Sequence, residues 1–292
     1  MLSILIPTYN YNAFLLVNEI QKQAKEAGIE FEIICMDDGS KVFLPENKEI
    51  NSLENCSFEI LKNNVGRSAI RNLLAKKASF DNLLFLDSDT IPVENNFIIN
   101  YINQINENSD IICGGIEYQN EKPEKSKLLR WKYGINRESK KAIERAKKPY
   151  NNILSANILI KKNVFFEANY SNENNYYGMD IYFSYQLMIK NRTIIHIDNP
   201  IFHLGLESNE VFFEKCLLSV KNRKETLANM PRIEEINSLL KYYKIIKKNK
   251  LIFIANLFFL ISESLLKKFI FSKNPNLIVL DLYRLGYICT LK

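Results

Sequence analysis

No cysteine pair of the C-x-x-C type occurs. The five cysteines, Cys35, Cys56, Cys113, Cys216 and Cys289, are odd in number and widely spaced, which argues against a zinc site or a disulfide framework and points to a reducing compartment. No uninterrupted apolar run reaches the roughly 20 residues of a membrane-spanning helix. The most apolar segment, Leu251 to Ile261, is broken by Ser262-Glu263-Ser264 and then Lys267-Lys268, and reads as a buried or an interfacial helix. The first residues, M-L-S-I-L-I-P-T-Y-N, carry neither a basic leader nor a small-residue cleavage site, so the chain is expected to be mature from its start and cytoplasmic. P-loop and dinucleotide fingerprints, internal repeats and flexible linkers are absent. The lack of a helix-turn-helix or RNA-binding motif removes nucleic acid from the expected partners. Histidine occurs only as His196 and His203, and tryptophan only as Trp131.

What is present is ordinary for a folded protein with a sizeable core: 47% hydrophobic and 25% charged residues. Collagen, a disordered tail and a disulfide miniprotein are thereby excluded. Lys and Arg exceed Asp and Glu by 39 to 33, a formal charge of +6, which favours anionic partners. The first third alternates strand and helix patterns. Ser3 to Pro7, Phe31 to Met36, Phe58 to Leu61 and Asn82 to Leu86 are apolar strand candidates, and Phe14 to Ala27 and Ser68 to Ala78 have helical spacing. Such alternation predicts a parallel sheet covered on both faces, with ligands beyond the carboxyl ends of its strands. The two acidic clusters, Asp37-Asp38 and Asp87-Ser88-Asp89, sit at such ends.

Tyr118 to Tyr150 is a basic, helix-compatible stretch that reads as a lid or an acceptor-side insertion, and Ile153 to Ile160 resumes strand character. Beyond about residue 210 the pattern is mainly helical. Two carboxylates one residue apart at a strand end cannot both lose water without a counter-charge, so Asp87 and Asp89 suit a divalent cation. The alternative for such a triplet is a solvated turn.

Four clusters follow in order: Ile4-Leu5-Ile6-Pro7-Thr8-Tyr9-Asn10, Met36-Asp37-Asp38-Gly39-Ser40, Asn64-Val65-Gly66-Arg67-Ser68-Ala69-Ile70-Arg71-Asn72 and Leu86-Asp87-Ser88-Asp89. In this order they resemble the family 2 glycosyltransferases, closely over residues 1–110 and more loosely to about 205. The resemblance implies an α/β fold of GT-A type, Rossmann-like, with a mainly helical C-terminal extension. It divides the chain into a catalytic domain over 1–210, with a nucleotide-binding half 1–110 and an acceptor-side half 111–210, and an extension over 211–292.

The same resemblance implies roles. Pro7, Thr8 and Tyr9 line the nucleobase and ribose, and Asp38 bonds a pyrimidine ring, which suggests a UDP-sugar donor. Gly66, Arg67 and Arg71 border the nucleotide, and Asp37 orders its turn. Asp87 reaches the ribose, or the metal through water, and Ser88 is a further donor-binding residue. Asp89, with Asp87 and His203, holds Mn²⁺ or Mg²⁺. At the helix start Tyr177-Gly178-Met179-Asp180, where the family carries an acidic pair, Met179 takes the first position, leaving Asp180 as the general base of an inverting transfer. Asp198 and Glu173 are the next carboxylates for that role. His196 reads as a packed strand residue.

For the acceptor, Trp131, Tyr133, Tyr150, Tyr176 and Tyr177 offer sugar-stacking faces or core packing, and Ser155 and Asn157 precede the base motif. The implied acceptor is a glycan or a lipid-linked sugar of bacterial surface polysaccharide synthesis. The lysines of 241–250 ahead of an apolar helix fit either a peripheral contact with the inner membrane or a helix closing the core. A non-catalytic sugar-nucleotide or glycan-binding relative and a nucleotidyltransferase are the rival readings.

Overall fold

The computed structural model describes residues 1–42, 44–170 and 177–291, so Glu173 and Tyr176 lie outside the described residues. The chain forms two compact units: residues 1–118, 138–175 and 186–205, and residues 119–137, 176–185 and 206–292.

The first unit holds ten described strands: β1 (Leu2–Thr8), β2 (Phe31–Asp37), β3 (Cys56–Ile60), β4 (Asn82–Leu86), β5 (Thr90–Pro92), β6 (Ile111–Cys113), β7 (Ile116–Glu117), β8 (Asn157–Lys161), β9 (Ile194–His196) and β10 (Ile201–His203). They make a seven-stranded sheet, β3-β2-β1-β4-β8-β6-β9, and a three-stranded one, β5-β10-β7. The central strands show no alternation of buried and exposed positions: Leu2, Ile4, Leu5 and Ile6 of β1 and Leu83 to Leu86 of β4 are all inaccessible, as a strand covered on both faces requires. The helices α1 (Phe14–Glu26) and α2 (Arg67–Lys77) follow β1 and β3, and α1 buries Leu16, Val17, Ile20 and Ala24, one stripe at helical spacing.

The parallel sheet expected from the first third is observed there and gains antiparallel pairs in its second half. Strands β1 to β4 pair in parallel, but β8 runs antiparallel to both β4 and β6. An antiparallel neighbour needs no helical crossover, so the strand–helix alternation of the first third does not extend to it. The strand expected from Ile153 begins at Asn157, whose N–H closes a turn onto the Leu154 carbonyl at 3.2 Å.

The second unit contains α3 from its start at Asp180 (Asp180–Ile189, whose last residues belong to the first unit), α4 (Asn209–Leu227), α5 (Ser238–Lys248), α6 (Ile252–Ile270) and α7 (Leu277–Thr290). Its core joins Leu129, Phe212, Phe213, Phe259, Leu280 and Tyr283, with the Phe213 and Phe259 rings edge-on to Tyr283 at 5.0 and 4.9 Å. The Asn209 side chain binds the Leu129 N–H and the Lys125 carbonyl, each at 2.8 Å. The basic stretch read as one insertion is therefore divided: residues 119–137 join the helical unit and residues 138–150 the sheet unit.

A buried cation fastens the far side of the first unit. Arg145, 2% exposed, donates to the carbonyls of Cys113, Gly114, Lys140 and Ile197 at 2.7 to 3.1 Å and to His196 Nδ1 at 3.1 Å. Because a guanidinium only donates, His196 accepts at Nδ1 and donates from Nε2 to the Pro149 carbonyl at 3.1 Å. Burial, then the Arg145 charge, lowers the His196 pKa. His196 is thus the packed strand residue its sequence setting suggests. The Cys113 and Gly114 carbonyls also accept the Ile197 and Asn199 N–H groups, so Arg145→Leu deprives the Lys140 and Ile197 carbonyls of their donor, and urea unfolding is expected to show a loss of about 2–3 kcal/mol.

Candidate active site

The chain leaves β4 at Asp87. The Asp87 N–H donates to the Ala156 carbonyl at 3.2 Å, and Thr90 Oγ1 donates to the Asp87 carbonyl at 2.7 Å, closing the turn over Ser88 and Asp89. Helix α2 starts at Gly66, whose φ of +91° suits a residue without Cβ, and it presents Arg67 and Arg71 one turn apart. Both grip Asp87: Arg67 Nη2 stands 3.1 Å from Oδ2, and Arg71 Nη2 meets Oδ1. Burial alone would raise the Asp87 pKa, but the Arg71 and Arg67 charges outweigh it and hold the carboxyl below its ordinary value.

Asp89 has a different neighbour. Strand β10 pairs antiparallel with β5 and sets His203 opposite Thr90, and the Leu204 N–H donates to the Asp89 carbonyl at 2.8 Å. This register brings His203 Nε2 to 3.5 Å from Asp89 Oδ2. The Tyr118 ring stacks on His203 at 5.4 Å, and Tyr118 donates its hydroxyl hydrogen to Glu138. Gly205 lies against the Asp89 carboxylate, so close that a Cβ there would stand 2.2 Å from Oδ2. Burial raises the Asp89 pKa; the neighbouring histidine opposes the rise and Asp87 adds to it.

These groups bear on the expected metal. Among the described residues no group of three or more histidine, cysteine or acidic side chains gathers as a cation cage. Asp87, expected among the ligands, is paired with Arg67 and Arg71. Asp89 and His203 remain as an adjacent oxygen and nitrogen donor, a set that fits Mn²⁺ or Mg²⁺ completed by phosphate oxygens and water.

The ends of β1 and β2 are tied to the same edge. Thr8, buried, donates its hydroxyl hydrogen to the Tyr11 carbonyl at 3.0 Å, and its own carbonyl accepts the Asp38 N–H at 2.9 Å. Asp37 Oδ1 accepts the Ser40 N–H at 2.7 Å, ordering the turn. The two Asp38 oxygens accept the Val65 N–H at 2.7 Å and the Gly66 N–H at 3.0 Å. Asp38 therefore ties the β2 turn to the start of α2, and burial raises its pKa. Pro7 is half-buried in β1, while the Tyr9 ring just beyond is 42% exposed.

Asn157 is buried with its amide engaged inside the sheet, accepting from Tyr101 at 2.6 Å and donating to the carbonyls of Gly115 and Asn199 at 2.8 and 2.9 Å. Ser155 is half-buried just before β8, and Asp198 accepts the Ala142 N–H at 2.7 Å. Tyr150 donates to the Arg192 carbonyl at 3.1 Å. In the second unit Trp131 is half-buried and donates to the Gln119 carbonyl at 2.8 Å, while Tyr133 packs on Phe212 at 5.2 Å. Lys215 Nζ lies 5.8 Å above the Tyr177 ring. Met179 is buried and Asp180 is exposed at the first turn of α3.

Sequence reasoning passed over Tyr118, Gly205 and Arg145. The one available signal was Gly205, two residues after His203. Because its missing side chain makes room for Asp89, Gly205→Ala is expected to weaken Mn²⁺ binding by roughly tenfold, about 1.4 kcal/mol. Isothermal titration with Mn²⁺ alone reads this, and unchanged affinity would remove Asp89 from the site.

Solved structures share this fold. TarS from S. aureus, residues 1–349 in complex with UDP-GlcNAc, matches with a TM-score of 0.50 and 18% identity over 97% of this chain and 89% of that one. The longer TarS structure matches with a TM-score of 0.51 and 19% identity over 80% of this chain, which spans 41% of its length. The mannosyltransferase PcManGT from Pyrobaculum calidifontis, in complex with GDP-Man and Mn²⁺, matches with a TM-score of 0.55 and 12% identity over 80% of this chain and 66% of that one. No curated protein matches in sequence. At these identities the likeness establishes the α/β fold of GT-A type with a helical C-terminal region. The pattern of Glycosyl transferase family 2 matches residues 3–166, more than half of the chain, and the protein belongs to that family.

Proposed function

We propose that the protein is a metal-dependent inverting glycosyltransferase that moves a sugar from a nucleotide-diphosphate donor to an acceptor hydroxyl. The observation that carries the reading is the strand-end cluster in which Asp89 meets His203 while Arg67 and Arg71 neutralise Asp87. A UDP-sugar is the proposed donor, supported by the UDP-GlcNAc held by the TarS structure; the GDP-Man held by PcManGT makes the guanosine nucleotide the comparison to run.

Asp89 and His203 would hold Mn²⁺ or Mg²⁺, whose charge opposes the one developing on the leaving diphosphate. Asp180 takes the proton of the acceptor hydroxyl as that oxygen attacks the anomeric carbon. The bond from this carbon to the diphosphate oxygen breaks from the opposite face, so the anomeric configuration inverts and no protein nucleophile is needed. Met179 packs inward, so the position at which the family carries the first acid of its pair serves the core. That leaves a non-catalytic sugar-nucleotide binder as the second reading.

Asp89→Asn is expected to abolish metal-dependent donor binding. Asp180→Asn should keep that binding and lower kcat by about 10²- to 10⁴-fold. Near-normal transfer by Asp180→Asn, or a product of retained configuration by NMR, overturns the mechanism. Donor binding with no turnover on any glycan or lipid-linked acceptor makes the non-catalytic reading the correct one.

The proposed acceptor is a glycan or a lipid-linked sugar of surface polysaccharide synthesis, reached from the cytoplasmic membrane face through the C-terminal helices. No helix among the described residues is long and apolar enough to cross a membrane. Helix α6 nevertheless exposes Ile254, Phe258, Ile261 and Leu265, a single stripe at helical spacing, and α7 exposes Ile278 and Leu282. Residues 238–273 carry eight lysines and one acidic residue, Glu263, a surplus of seven charges against +6 for the whole chain. Apolar stripe and lysines together suit an anionic lipid interface. Phe258→Glu with Ile261→Glu should abolish co-sedimentation with phosphatidylglycerol vesicles and leave donor binding intact; persistent sedimentation rejects the membrane contact.

A further inference from the structure

Strand β10, which carries His203, lies between β5 and β7. Its pairing with β5 sets His203 opposite Thr90, and its parallel pairing with β7 puts Phe202 next to Glu117. The residues that follow on these two strands are His203 and Tyr118. Their rings stack, with centroids 5.4 Å apart and planes 29° from parallel. Tyr118 is 5% exposed, and a ring buried to that extent is confined by the atoms packed around it.

The polar end of the tyrosine is fixed as well. Its hydroxyl donates to a carboxylate oxygen of Glu138, a charge-assisted bond of the stronger kind. Tyr118 is the last residue of the first unit before residues 119–137, which belong to the second, and Glu138 is the first residue after them. One hydrogen bond therefore closes that stretch at its root, and the same tyrosine covers the histidine. Glu138, Tyr118 and His203 are joined in series, and Asp89 Oδ2 stands 3.5 Å from the imidazole Nε2.

A stacked neighbour restricts an imidazole mainly at χ2, the torsion that decides where Nε2 points. That torsion is broad and roughly two-fold when nothing restrains it, so an unsupported histidine must be ordered at each binding event, at a cost in affinity. The tyrosine ring also acts through its charge distribution. An imidazole whose Nε2 is bound to a divalent cation carries positive character, and the face of a tyrosine is negative. Donation of the hydroxyl hydrogen to a carboxylate makes that face more so, and the stack is therefore stronger with metal than without it.

We infer that Tyr118, anchored by Glu138, is a positioning residue for the metal site: it holds the His203 imidazole with Nε2 turned to Asp89, so that the nitrogen and oxygen donors are paired before a divalent cation arrives. The inference rests on the reading of Asp89 and His203 as the metal pair. Ligand histidines are commonly oriented by a group outside the coordination sphere, and losing that group weakens metal binding while the ligands themselves remain. Here the orienting group is an aromatic face whose own position is set by a carboxylate.

The test titrates Mn²⁺ into the full chain by calorimetry, alone and with UDP, and follows the imidazole protons by NMR in EDTA. The two histidines give separate signals, and His203→Gln identifies those of His203. Tyr118→Leu should move the His203 signals downfield, as the ring current is lost, and leave in place those of His196, which Arg145 and the Pro149 carbonyl hold. Its Mn²⁺ affinity should fall roughly three- to tenfold, and excess Mn²⁺ should restore its turnover. Tyr118→Phe and Glu138→Gln should each weaken Mn²⁺ binding about twofold, and the double variant no further than either alone, since both remove the same hydrogen bond. Wild-type Mn²⁺ affinity in Tyr118→Leu, with no binding by Asp89→Asn, overturns the role of Tyr118 and leaves the metal site standing. Turnover that excess Mn²⁺ cannot restore marks a merely structural loss and overturns it too. Unchanged affinity in both single variants, or additive losses in the double, overturns the anchor at Glu138. No Mn²⁺ binding by the wild type in either condition, or unchanged binding by Asp89→Asn, strikes the metal reading and the inference with it. Should Tyr118→Leu fail to fold, which the His196 signals report, Tyr118→Phe and Glu138→Gln decide.

Discussion

Two carboxylates one residue apart at the mouth of a buried strand repel each other, and the first unit gives each a different neighbour. Asp87 is gripped by Arg67 and Arg71 from the first turns of α2, while Asp89 faces His203 from β10. The Arg71 and Arg67 charges hold the Asp87 carboxyl below its ordinary pKa, while burial raises that of Asp89. The remaining geometry serves that division. Asp38 pins Val65 and Gly66 and so fixes where α2 begins, which sets the reach of both arginines. The β5–β10 register sets the histidine, and Gly205 leaves the space in which the carboxylate sits.

The second unit is assembled from three separate stretches of chain around one aromatic core. Its helix α6 leaves an apolar stripe, Ile254, Phe258, Ile261 and Leu265, exposed to water, where such side chains cost free energy.

Much of the first unit was legible because its signals are local. Apolar runs at β1, β2 and β4 and the helical stripe of α1 depend on residues within a few positions of one another. The acidic clusters were legible as strand-end groups for the same reason. The antiparallel insertion of β8 was not, because strand direction depends on which distant strand it joins. Nor was the turn at Leu154, where an apolar run that reads as strand is bent by a backbone hydrogen bond.

Sequence by itself determined the family, the strand-end placement of Asp87 and Asp89 and the helical character of the C-terminal region, all of them properties of residue order. Tertiary structure decided which of those carboxylates is neutralised, since Arg67 and Arg71 meet Asp87 only when α2 packs beside the end of β4. It placed His203 beside Asp89 through the pairing of strands more than a hundred residues apart in sequence. It turned Asn157 inward to Tyr101 and stacked Tyr118 on His203. A charge's consequences depend on what stands within a few ångströms of it, and those neighbours come from parts of the chain that only folding brings together.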